Sequence, residues 1–164
     1  MKSQIIVVLA APFLLLAAAL LPAQAVQPTS QPAFEAAAQK LLPKVRDTLW
    51  SKLIKCEVSY DDKKDVYSIQ VTPEVKALDG QTVTVRGFVL PMDGSDRTKH
   101  FLVSRNTPVC MYCPPGQPNE VVEVLSPKAI EWTDKITTVT GKLSLINDGE
   151  KALFFKIENA QVGQ

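Results

Sequence analysis

Two hydropathy regimes divide the chain. From Ile5 to Leu21 nearly every position is apolar, with Lys2 ahead of the run, Pro12 inside it and Ala23-Gln24-Ala25 behind it. A short positive region, an apolar core and a small-x-small site predict a secretory signal at 1–25, cut after Ala25. A retained anchor is the competing reading, because the run approaches the length that spans a bilayer. The polar, proline-containing stretch 26–32 favours cleavage, which leaves no transmembrane segment in the mature chain. Next, Phe34–Leu42 consists of strong helix formers and stops at Pro43. Val45, Leu49, Leu53 and Trp50 then mark one face of a second helix from Lys44 to Ile54. Residues 26–54 are thus read as a leader with helices, ahead of a domain at 55–164.

Alternation begins there, and from Leu78 the pattern changes to strands. Ile54, Cys56, Val58 and Tyr60 alternate, Asp61-Asp62-Lys63-Lys64-Asp65 forms a charged turn, and Val66–Val71 follows. Gln81–Met92 is β-branched, with Val83, Val85 and Val89 on one side and Gly87 in the middle. Strands are also expected at His100–Arg105, Glu120–Leu125, Ile136–Ile146 with Gly141 inside it, and Ala152–Val162 after the Asn147-Asp148-Gly149 turn. A glycine inside a strand marks a bulge or bend, which a strand shared by both sides of a small barrel requires. The expected fold is therefore mainly β: a five-stranded OB-like barrel preceded by one or two N-terminal helices. An open antiparallel sheet or sandwich is the alternative. Trp50 and Trp132 are expected in the core or at its edge.

Composition narrows the function. The 164 residues are 46% hydrophobic, but 19 of the first 25 are apolar, so the surplus belongs to the leader. Without Lys2 the 18 basic residues become 17, equal to the 17 acidic ones. A neutral mature chain has no electrostatic reason to bind nucleic acid or an anionic membrane. The single histidine, His100, excludes a multi-histidine metal centre and histidine relays. No serine has a Gly-x-Ser-x-Gly surround, so serine hydrolysis has no positive support.

Chemistry concentrates in residues 106–119, where Cys110-Met111-Tyr112-Cys113 is followed by Pro114, Pro115, Pro118 and Asn119. Proline stiffness lowers the entropic cost of holding two thiols in a fixed relation. Pro114 stands where covalent haem attachment requires histidine, so haem is excluded, and no nucleotide cofactor is expected. Three readings remain for Cys110 and Cys113: a thiol–disulfide redox pair, a metal site, or a structural disulfide that could also involve Cys56. Tetrahedral zinc needs two more ligands, for which His100, Met92, Met111, Cys56, Glu120 and Glu123 are candidates; Cu(I) accepts the same soft sulfur donors. Three cysteines cannot all pair within one chain, so one sulfur must stay free, bind metal or cross-link elsewhere.

The joined motifs Leu78-Asp79-Gly80, Gly87-Phe88-Val89-Leu90-Pro91, Phe101-Leu102-Val103, Cys110 with Pro114-Pro115, and Pro118-Asn119 resemble an exported bacterial family, domain of unknown function 3299. The resemblance runs from about Trp50 to Val162. It implies an OB-like barrel in the periplasm that is an accessory to an ABC-transporter or metal-homeostasis system, handling zinc or copper beside a periplasmic or transporter partner. The expected function is thus metal binding rather than catalysis, with a thiol–disulfide redox protein and a structural interaction module as alternatives.

Overall fold

A computed structural model describes residues 33–109 and 115–163. The expected signal segment and Cys110, Met111, Tyr112, Cys113 and Pro114 lie outside the described residues.

Helix α1 (Ala33–Leu41) ends just before Pro43, as expected. Helix α2 covers only Thr48–Leu53, four residues later than the apolar spacing suggested. Two observations explain the delay. Asp47 caps the helix by accepting from the Trp50 N–H at 2.8 Å, and the preceding Lys44-Val45 is extended, bridging to Asn106 and Arg105. Long-range backbone pairing wins there over helical propensity. Asp47 also accepts from the Arg86 N–H with its second oxygen, and the Trp50 indole donates to the Arg86 carbonyl at 2.7 Å. This places Trp50 in the core, 1% exposed, as expected.

Strands β1 (Glu57–Asp61) and β2 (Val66–Gln70) form a separate antiparallel hairpin around the charged turn. A four-residue helix, α3 (Pro73–Lys76), was not foreseen; Thr72 caps it and Val75 anchors it in the core. The other five strands are β3 (Thr82–Pro91), β4 (Arg97–Ser104), β5 (Val121–Glu131), β6 (Thr137–Asp148) and β7 (Leu153–Gly163). They close into a barrel in the order β3-β4-β5-β7-β6. β5 and β7 run parallel; the other four pairs are antiparallel. This is the five-stranded Greek-key barrel of the OB type. β5 runs six residues past the expected stretch and pairs back onto Arg97 and Thr98.

The two strand glycines act as the sequence suggests. β3 pairs with β6 as far as Gly87 and with β4 from Phe88 onward, so the partner switch falls at Gly87. A Cβ there would meet the Ser104 carbonyl oxygen at 2.5 Å. Gly141 sits at a bulge where the β6–β7 register shifts, its missing Cβ leaving room for Ile157 and Glu158. Val85, Val89, Phe101, Val103, Val122, Val124, Val139, Leu143, Phe155 and Ile157 fill the interior, with Leu49, Trp50 and Leu53 of α2 in the same cluster. Among the described residues, no helix is long and apolar enough to cross a membrane.

Candidate functional site

The connection from β4 to β5 carries the C-x-x-C sequence, and its described ends are tied together. Ser104 closes β4 fully buried, and its hydroxyl bonds the Asn106 carbonyl at 2.9 Å. The Asn106 amide donates to the Pro115 carbonyl at 2.7 Å and to Glu120 Oε2 at 3.0 Å. Residues nine apart in sequence are thereby held side by side. The amide orientation follows from these partners, since the reversed group would set its oxygen against two acceptors. Its Oδ1 is buried without a partner among the described residues.

Glu120 is the hub on the return side. Arg105 Nη1 reaches Oε1 at 2.9 Å and Lys44 Nζ reaches it at 3.4 Å. The Gln117 N–H reaches Oε2 at 3.2 Å. Burial by itself would raise this carboxyl, but the bonds from Asn106 and Gln117 and the Lys44 charge outweigh it and hold the group below the ordinary glutamate value. Gly116, at φ +137°, passes so close that a Cβ would collide with the Asn106 amide and Glu120. Outside this clamp, Thr107 Oγ1 donates to the Pro43 carbonyl at 2.7 Å and Gln39 to the Thr107 carbonyl at 3.3 Å. The N-terminal segment therefore braces the outgoing stem.

Each candidate can now be located. Pro115 and Pro118 are buried in the clamp and in the short helical turn Pro118–Glu120. Asn119 donates to the Cys56 carbonyl at 2.8 Å, which brings Cys56 to the foot of the returning stem. The Cys56 thiol is free and buried in the core, 2% exposed. His100 lies on β4 four residues before Ser104, about 13 Å away along an extended strand. It is bonded to Glu123: Nε2 and Oε1 are 2.7 Å apart, and Glu123 Oε2 meets Lys156 Nζ at 3.0 Å. Met92 stands beside His100, its N–H donating to the His100 carbonyl at 3.2 Å. The two carboxylates read as candidate ligands are therefore occupied by protein partners. Among the described residues, no group of three or more His, Cys, Asp and Glu could hold a metal ion.

Sequence reasoning missed Asn106, Arg105, Lys44 and Lys156, whose roles depend on partners distant in the chain. Two clefts flank these features. A polar one of about 440 Å³ lies between Glu123, Lys156 and the β6–β7 turn. An apolar one of about 280 Å³ is lined by Phe88, Leu90, Pro108, Val109 and Trp132. Trp132 stands at its rim, 39% exposed.

Among curated proteins none matches this sequence. A crystal structure of a DUF3299 family protein from Pseudomonas aeruginosa PAO1 is similar over 59% of this chain and 68% of that one, at 21% identity and a TM-score of 0.46. The family described as "Protein of unknown function (DUF3299)" matches residues 18–154, most of the chain, and the protein belongs to that family.

Proposed function

We propose that the protein is an exported, periplasmic binding module that handles a soft transition-metal ion at Cys110 and Cys113 for a transporter or metal-homeostasis partner. One observation carries this reading. The segment holding the two cysteines in sequence is bounded by Asn106 and Pro115, which a buried hydrogen bond joins at 2.7 Å. A loop closed at its base loses less entropy when an ion bridges its two thiols. Thiolates favour Cu(I) and zinc. Zinc asks for four donors, whereas two thiolates suffice for two-coordinate Cu(I), so copper is the preferred cargo.

Metal analysis of the mature protein, purified reduced and loaded with Cu(I), tests the reading. The cysteines are expected to hold about one equivalent, and Cys110→Ser should lose that equivalent. Uptake that is equal in the parent chain and in Cys110→Ser would overturn the proposal. A redox protein using Cys110 as nucleophile and Cys113 as resolving thiol would instead show a disulfide potential in the range of working oxidoreductases, above roughly −300 mV.

A further inference from the structure

The structure brings His100 and Met92 together across the β3–β4 ladder. Leu90 lies opposite Leu102 and Pro91 opposite Phe101 in the β3–β4 ladder. The Met92 N–H to His100 carbonyl bond extends the ladder by one step, so Met92 stands directly across from His100. Directly opposed residues send their side chains to one face, with Cβ atoms about 4.5–5.5 Å apart. Phe101 is fully buried on the inner face, so its neighbour His100 belongs to the outer one. Both side chains are open to solvent, Met92 at 41% and the His100 side chain at 43%.

The imidazole is also prepared. The Glu123 carboxylate, 9% exposed, can only accept at Nε2. Nε2 therefore carries the hydrogen, and in the neutral ring the lone pair is on Nδ1. A carboxylate behind a histidine that sets its tautomer and fixes its ring is the support that metal-ligating histidines receive. Lys156 on the far oxygen holds that carboxylate in place.

We infer that His100 Nδ1 and Met92 Sδ form a second metal site, on the outer face of β3 and β4, for a soft monovalent cation of the Cu(I) and Ag(I) class. A thioether selects that class, and two donors fall short of the four that zinc takes. The site shares the metal chemistry proposed for the loop but none of its ligands, so the two stand or fall separately.

The test uses the mature chain carrying Cys56→Ala, Cys110→Ser and Cys113→Ser, which has no thiols, titrated with Ag+ and followed by NMR. A saturable response is expected in which the Met92 methyl and the His100 ring nitrogens shift together near one equivalent. Met92→Leu and His100→Asn should each weaken binding at least tenfold. If Cys56→Ala unfolds the chain, the titration is run with Cys56 retained in the core. A folded chain whose Met92 methyl stays still at millimolar Ag+ would overturn the inference. So would a shift confined to the Met111 methyl, or binding unchanged in both variants. A thiol-free chain that responds as expected, beside a parent whose Cu(I) uptake is unchanged by Cys110→Ser, would support this site and reject the loop reading.

Discussion

The side-chain amide of Asn106 lies 3.0 Å from Oε2 of Glu120, and this contact joins the two stems of the connection between β4 and β5. The same amide bonds the Pro115 carbonyl, and the same carboxylate collects Arg105 and Lys44. A short polar side chain thus closes the base of the loop, while a charged one ties that base to the N-terminal segment.

Asn106→Asp keeps the shape and reverses the chemistry. It replaces two donors with an acceptor facing Glu120 and a carbonyl in a buried setting, so a loss of about 3 kcal/mol is expected. Urea unfolding measures it. Asn106→Ala should cost less, about 2 kcal/mol, because it leaves partners unpaired without adding a charge. Equal effects from both variants would mean that the donated bonds do not matter.

Glu120 also predicts how stability depends on pH. Its folded value lies below the ordinary 4.5, so the unfolded chain binds the proton more readily. The resulting stabilisation is complete above the unfolded value and is lost as pH falls through the folded one. Asp148, next to Lys151, and Asp93, bonded by Ser95, are lowered too and add in the same direction. Urea midpoints should be flat from neutrality to about pH 5 and fall below it. In Glu120→Gln the fall should be shallower, from a lower starting stability.

Gly87→Ala should cost about 3 kcal/mol, because the new methyl would meet a carbonyl oxygen and Val103 at the point where β3 changes partners. Gly163→Ala is the control: nothing lies within 4 Å of its added Cβ, and its effect should stay within about 0.5 kcal/mol. Thermal melts of the two variants compare them directly.

Tyr60 donates to Asp65 across the β1–β2 turn, and that bond, with the neighbouring negative charges, pushes the phenol up to about 12. Ultraviolet titration should show one tyrosine ionising near that value. Asp65→Asn should return it toward the ordinary value of about 10. An unchanged titration in the variant would place the cause elsewhere.

Much of the barrel was legible in the residues because it depends on local periodicity. Alternation located all five barrel strands, and Gly87 and Gly141 marked the bend and the bulge, since a missing Cβ is a direct statement about close approach. Helix α2 was misplaced at its start because Val45 is apolar for a different reason: it packs as extended chain beside Arg105. β5 was read short because its far half pairs only with the start of β4, a contact set by the barrel rather than by alternation.

For the site, the residues alone identified the chemistry-bearing types: the paired cysteines in a proline-rich connection, the single histidine and the methionines. Their grouping came from the tertiary structure. His100 was one of several candidate ligands in the sequence. Pairing of strand β4 with β3 and β5 sets Met92 and Glu123 beside it. A side chain's type is local to the sequence, whereas its neighbours are set by which strands the barrel hydrogen-bonds together.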